Sequence, residues 1–275
     1  MQWWQAIILG LTQGLTEFLP VSSSGHLAFL QSLFGISSDG SLFFDLILHL
    51  GTLVAVCIIF RKEILALFKK PFKTLLYLVV ASIPAGVIGV LLEYFDVIDD
   101  YILGSPYLGY LLAIFFCITA GVLFATEIFA KRRKKIYPLG WRTALPMGFA
   151  QAVAILPGIS RSGSTIAAGI FSGGDTEEVS HFSFLMSIPI ILGGFLVELV
   201  KGLTDAENSF VTAFQTNPQY GWCVAIGFII SAVAGLFAIK VMLAAIKKAN
   251  YKWFSVYLVL LAITCIVLQS TGFMG

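Results

Sequence analysis

The chain has 275 residues, of which 58% are hydrophobic and only 12% charged, with 17 Lys and Arg against 15 Asp and Glu and a formal net charge of +2. A soluble protein of this length cannot hide so much apolar surface, so the composition excludes an ordinary water-soluble enzyme and points to a polytopic helical membrane protein. Cys57, Cys117, Cys223 and Cys265 are far apart inside apolar runs and read as small core hydrophobes, neither a disulfide framework nor a metal site.

In chain order, residues 1–36 are apolar enough for a membrane but are cut near the middle by Pro20, three serines and Gly25, and carry Gln2, Gln5, Thr12, Gln13, Thr16 and Glu17 along one helical face. The N-terminus has no cationic region, the first Lys or Arg being Arg61, so no cleavable signal peptide is expected. Bilayer-crossing spans, which need about 20 apolar residues, are expected near 42–60, 74–95 and 107–130. A second interrupted segment follows at 142–174, then spans near 180–200, 219–240 and 253–272. Three connections hold fifteen of the 17 Lys and Arg: 61–73, 131–142, and the cluster Lys240, Lys247, Lys248 and Lys252. These loops should be cytoplasmic, and the acidic connections near 96–106 and 201–218 should face outward. Lys131–Lys135 is accordingly a topogenic loop, not a nucleic-acid patch. Trp3, Trp4, Trp141, Trp222 and Trp253 fall near the expected interfaces as belt anchors. Glu127 and Glu198, near span ends, are taken as exposed, and His49 and His181 as structural.

The two interrupted segments are related. An offset of 138 residues pairs Gly10 with Gly148, Gln13 with Gln151, Ser22 with Ser160, Ser24 with Ser162, Gly25 with Gly163 and Gly35 with Gly173, without a gap. Each segment reads as a re-entrant helix–loop–helix hairpin, because irregular polar backbone at membrane depth is tolerated only where it is buried in protein or lines a cavity. The expected fold is a single all-α membrane domain with six transmembrane helices and two hairpins, in repeats of about 1–137 and 138–275. Three spans per repeat is an odd number, so the repeats have opposite orientation, the hairpin tips meet near the midplane and both termini lie outside.

The candidate chemistry sits on those tips. Glu17, one helical turn after Gln13, is an acid at membrane depth, suited to act as a general base or as a ligand to a divalent cation. Arg161, flanked by Ser160, Ser162 and Gly163, combines forked donors with a helix start, which suits an anion. His26 follows Ser22, Ser23, Ser24 and Gly25, beside candidate nucleophiles and phosphate ligands. The serines also suit helix capping, which uses the same geometry as phosphate binding. Ser23 aligns with Arg161 across the repeat and is the preferred nucleophile, with Glu17 as its base and His26 protonating the leaving group or placing water; Ser22, His26 and a metal-activated water remain alternatives.

At these motifs the chain resembles the bacterial undecaprenyl-diphosphate phosphatase family, often called the BacA or UppP family. The matching residues are Gln13-Gly-Leu-Thr-Glu17, Phe18-Leu-Pro-Val-Ser-Ser-Ser-Gly-His26 and Pro157-Gly-Ile-Ser-Arg-Ser-Gly-Ser-Thr165, and the likeness in length, span count and motif order covers nearly the whole chain. The resemblance implies hydrolysis of undecaprenyl diphosphate to undecaprenyl phosphate and inorganic phosphate in the bacterial plasma membrane, for cell-wall synthesis, with a link to bacitracin tolerance. With that activity, the residue reading makes Glu17, Ser23, His26 and Arg161 the catalytic set and places Gln13, Ser22, Ser24, Gly25, Ser160, Ser162, Gly163 and Thr165 around the substrate. The resemblance also implies dependence on a divalent cation, Mg2+ or Ca2+; the family's first Glu-or-Gln position is Gln13 here, so any metal relies mainly on Glu17 and substrate oxygens. The expected partners are a polyprenyl diphosphate lipid and the bilayer, with no nucleic acid, and a homodimer is one assembly compatible with the sequence.

Two other readings use the same residues. A phosphatidic-acid-phosphatase type of site would need an upstream Lys/Arg-Pro element and a His with a nearby Asp after the Ser-Arg, and neither is present. Inverted repeats with broken helices also build transporters, so a lipid flippase or anion carrier is the alternative from another class. The topology is testable on a cysteine-free background. Single cysteines at Asp100 and Asn208 should react with a membrane-impermeant reagent in intact cells, and one at Lys134 should not; labelling at Lys134 alone would invert the orientation.

Overall fold

A computed structural model of the chain describes residues 1–36, 38–133, 135–204, 214, 219–247 and 250–274. Lys134, Lys248, Asn208 and the side chain of Glu198 lie outside the described residues. Eleven α-helices are named here in chain order: α1 Trp3–Thr16, α2 Ser23–Phe34, α3 Ser38–Ile59, α4 Arg61–Leu67, α5 Lys73–Tyr94, α6 Leu108–Arg132, α7 Trp141–Val153, α8 Arg161–Phe171, α9 Thr176–Thr204, α10 Tyr220–Lys247 and α11 Lys252–Ser270. A short π-helical stretch, Asp99–Leu103, precedes α6. Among the described residues there is no strand, only an isolated bridge between Tyr137 and Gly174.

Five helices are long and apolar enough to cross a membrane, and a sixth span is reached if Phe43–Ile59 and Arg61–Leu67, bent by 82° from each other, count as one. The six expected spans therefore correspond to α3, α5, α6, α9, α10 and α11, with differences at their ends. Past Ile59 the chain turns sharply into the charged α4, where a plain loop was expected. Helix α9 starts earlier than expected because Asp175 caps it, accepting from the Glu177 and Glu178 amides at 2.9 and 3.1 Å. Helix α10 runs on to Lys247, because the single charge of Lys240 among Ala, Leu, Ile and Val does not break a helix. Val79, Ile83, Val87 and Val90 form an exposed apolar stripe on α5, as befits a lipid-facing surface, and the five tryptophans are exposed as belt anchors should be.

The two interrupted segments are each helix–break–helix. Their arms, of 14, 12, 13 and 11 residues, measure about 16–21 Å at 1.5 Å per residue, too short for a hydrocarbon core of about 30 Å. Helix starts recur at the same offset as the motifs: Trp3 and Trp141, Ser23 and Arg161, Ser38 and Thr176. Ser22 and Ser160 are the N-caps of α2 and α8, their hydroxyls accepting from the Gly25 and Gly163 amides at 3.4 and 3.1 Å. Gly35 and Gly173, just past those helices, both have positive φ, 62° and 84°, which only glycine adopts without strain. Helix α1 lies along α10 and α7 along α5, while α6 packs on α11.

Three expectations about individual residues need correcting. Glu127 is buried, not exposed: Lys131 one turn later pairs with it at 2.5 Å, and the Lys252 amide donates to it at 2.7 Å from α11. Cys57 and Cys117 face outward, and only Cys223 and Cys265 are core residues. His49, taken as structural, reaches Glu17, its Nε2 lying 3.5 Å from Oε2.

The two breaks touch. A Cβ on Gly25 would lie 2.7 Å from the Gly158 Cα and 2.8 Å from its N, as well as 2.7 Å from a Phe116 ring carbon. Gly25→Ala should therefore lower the thermal midpoint of the detergent-solubilised protein, overpacking here costing about 1–3 kcal/mol. Gly86→Ala, where nothing lies within 4 Å, should leave it unchanged or raise it. Equal midpoints for the two variants would mean that the breaks are not in backbone contact.

Candidate active site

The first break, residues 17–22, is held by its own strain and by the second. Ser22 has φ 67°, the left-handed region that disfavours a side chain and costs on the order of 1–3 kcal/mol. The reward is a hydroxyl turned toward the Gly158 amide, which donates to Ser22 Oγ at 3.1 Å. In return Ser162 Oγ donates to the Leu19 carbonyl at 3.0 Å. Thr119 on α6 closes the second break, donating to the Gly158 carbonyl at 3.1 Å and accepting from the Ser160 amide at 3.2 Å. Backbone groups that a helix would satisfy internally are thus paired across the tips.

Glu17 ends α1 at the centre of this contact and is 7% exposed. Its Oε1 accepts from Arg161 Nη2 at 2.5 Å. Its Oε2 accepts from Ser23 Oγ at 2.6 Å and from Gln13 Nε2 at 3.0 Å. Two breaks far apart in sequence therefore place a hydroxyl and a guanidinium around one carboxylate. Arg161 also donates through Nη1 to the Ser183 carbonyl at 3.3 Å, which uses two of its five N–H groups. Thr165, one turn after Arg161, bonds the Arg161 carbonyl at 2.8 Å and Ser183 Oγ at 2.7 Å, fixing the start of α8 against α9.

The structure divides the residues singled out from sequence. Glu17, Gln13, Ser23 and Arg161 form one cluster. Ser22, Ser160 and Ser162 have hydroxyls engaged in capping or in joining the tips; Ser24 Oγ lies 3.4 Å from Ser22 Oγ, and Gly25 and Gly163 donate to the capping serines. His26 turns away from the carboxylate: Nδ1 lies 2.7 Å from the Ser22 carbonyl and Nε2 2.7 Å from Tyr257 Oη on α11. A carbonyl only accepts, so Nδ1 carries the proton and Nε2 accepts from the tyrosine.

Sequence reasoning missed Asp45 and His49 on α3. His49 Nε2 lies 3.5 Å from Glu17 Oε2, and Gln31 Nε2 donates to Asp45 Oδ1 at 2.7 Å. The signal was present: two ionisable residues one turn apart inside an apolar span face a partner or cavity by default.

The chain is a multi-pass helical membrane protein whose two helix breaks bring a carboxylate, a hydroxyl and a guanidinium together. The chain belongs to the family described as bacitracin resistance protein BacA, whose model matches residues 6–264. Relatives named undecaprenyl-diphosphatase are similar along their whole length. That of Carboxydothermus hydrogenoformans is 41% identical over 273 residues, 99% of both chains. That of Halothermothrix orenii is 38% identical over 272 residues, 98% of both, and that of Methanobrevibacter smithii 37% identical, with 92% of both covered. The resemblance read from the motifs thus holds over the full chain.

Lys at position 161 would keep the charge but lose the fork that reaches Glu17 and Ser183 together. Arg161→Lys and Arg161→Ala should both lower phosphate release from a polyprenyl diphosphate by on the order of 10²–10³. Near-normal turnover by folded, inserted Arg161→Ala protein would remove Arg161 from the site.

Proposed function

We propose that this protein hydrolyses undecaprenyl diphosphate to undecaprenyl phosphate and inorganic phosphate where the two breaks meet. The observation that carries the reading is the Ser23–Glu17–Arg161 arrangement in a chain that matches diphosphatases end to end. The exposed apolar faces of the spans suit a polyprenyl tail, and the cluster at the tips suits its headgroup. A carrier reading of the same fold has no support from the relatives, which are named as phosphatases.

The short arms, the recurring helix starts and the contact between tips support two re-entrant hairpins in an inverted-topology repeat. With the basic connections on the cytoplasmic side, both termini lie outside and the site is reached from the outer leaflet.

In the proposed reaction Ser23 Oγ attacks the terminal phosphorus while Glu17 Oε2, already its hydrogen-bond acceptor, takes the proton. An Oγ–P bond forms, the bridging P–O bond breaks, and its electron pair leaves on the lipid phosphate. Glu17 gives up the serine proton to the released lipid phosphate; water then attacks the phosphoserine as Glu17 takes its proton, and Glu17 returns that proton to the serine oxygen as the Oγ–P bond breaks and inorganic phosphate departs. Arg161 holds Glu17 Oε1 and turns its remaining N–H groups to the phosphoryl oxygens. His26 acts through Ser22, fixing the strained carbonyl that precedes the nucleophile. A lipid phosphate is a stable anion and leaves without prior protonation.

A divalent cation fits the donors present. Glu17 and Gln13 offer hard oxygens, and Gln13 Oε1 is buried with no hydrogen-bond partner among the described residues. No group of three or more His, Cys, Asp or Glu is gathered among the described residues, so phosphate oxygens and water would have to complete the shell, as Mg2+ prefers. When bound, such an ion neutralises charge on the phosphoryl oxygens.

Ser23→Ala should abolish turnover while retaining lipid diphosphate binding, and rapid acid quench of the wild type should trap acid-stable label from terminally labelled lipid. Substantial hydrolysis by Ser23→Ala would favour direct attack by water, and an acid-labile phosphoenzyme would point to a histidine.

A further inference from the structure

Asp45 and His49 lie one turn apart on α3, and the reaction just described uses neither. The His49 ring is oriented by its own helix: Nδ1 lies 2.7 Å from the Asp45 carbonyl. Since that oxygen can only accept, Nδ1 carries a hydrogen, and Nε2 is the nitrogen left to face Glu17 Oε2, at 3.5 Å. Two lone pairs facing each other in a low-dielectric site need a positive charge between them, a proton or a metal ion. The His49 side chain is 23% exposed against 6% for Glu17, so an ion can approach from its side.

Three features favour a metal ion in that place. First, an imidazole whose other nitrogen donates to a backbone carbonyl is the arrangement that orients metal-ligating histidines. Second, the spacing allows a shared ion: atoms 3.5 Å apart need close by only about half an ångström to sit as neighbouring ligands of one octahedral ion. Third, Gln13 donates to the same Oε2 at 3.0 Å while its Oε1 is buried without a partner. Turning that amide over exchanges its two ends at no change of shape and presents an oxygen to an ion at the same spot.

We propose that His49 Nε2 is a protein ligand of the divalent cation, beside Glu17 Oε2, with Gln13 Oε1 as the adjoining oxygen. The inference rests on the cation reading above and deepens it: the site is a mixed nitrogen–oxygen one. Imidazole nitrogen discriminates against Ca2+ and Mg2+, so Mn2+ should bind more tightly than either. Asp45, through its carbonyl, is a positioning residue for the ring.

The test uses the purified full chain in detergent with Mn2+ and inorganic phosphate, read by pulsed electron paramagnetic resonance. Bound Mn2+ should show coupling to a nitrogen-14 nucleus that converts to nitrogen-15 coupling when the protein is grown on labelled histidine, a result that needs no variant to fold. His49→Gln should abolish that coupling and weaken Mn2+ binding at least about tenfold, by analogy with losses at metal-supporting residues. Mn2+ bound without nitrogen coupling, yet lost in Glu17→Gln, would remove His49 alone and leave the cation at Glu17. Mn2+ binding that is absent, or unchanged in Glu17→Gln, would overturn both the His49 ligand and the cation reading while leaving the serine mechanism standing. Coupling that persists in His49→Gln would assign the nitrogen elsewhere and overturn the proposal.

Discussion

A broken helix leaves polar backbone without an intrahelical partner, and the architecture follows from how that demand is met at two such breaks. Neither break is self-sufficient. The Gly158 amide needs Ser22 Oγ, Ser162 Oγ needs the Leu19 carbonyl, and Arg161 needs Glu17. Each half therefore completes the other, and the spans pack so that the two tips meet. A buried ion pair of this kind is a poor source of net stability, because desolvation offsets most of its attraction. What it gives is position: one carboxylate with a guanidinium on one oxygen and a serine hydroxyl on the other.

The halves share a scaffold but not a chemistry. At the common offset the caps Ser22 and Ser160 and the glycines Gly35 and Gly173 do the same work on both sides. The ionisable positions have diverged: Glu17 corresponds to Ile155, Ser23 to Arg161, Asp45 to Ser183 and His49 to Ser187. One half supplies the acid, the hydroxyl and the imidazole, and the other supplies the positive charge. Gln13 and Gln151 are both buried, but Gln13 has an ionised neighbour to donate to, whereas both ends of Gln151 lack a partner among the described residues.

Much of this was legible in the sequence. Pro, Gly and Ser clusters in apolar surroundings announce a break, and the hydroxyl–Gly pattern announces the cap that restarts the helix. The six-residue separation of Glu17 and Ser23 was enough to foresee one reaching the other across the turn. What escaped was decided by partners distant in sequence. His49 looks isolated in its own span, and only the packing of α3 beside α1 brings it to Glu17. Glu127 looked exposed because its α11 partner, the Lys252 amide, lies on another helix. His26 was read by its neighbours in the motif, yet its second hydrogen bond goes to Tyr257, near the end of the chain.

The Glu17–Arg161 pair leaves the resting site with no net charge, and this governs how it can be filled. A neutral site holds little attraction for stray anions such as chloride, which would have to part the arginine from a carboxylate it touches directly. A diphosphate headgroup carries several negative charges and unbalances the site as it enters. The pair thus acts as a filter on charge: a singly charged ion gains too little to part it, and only a group with several negative charges offers Arg161 a stronger partner than Glu17.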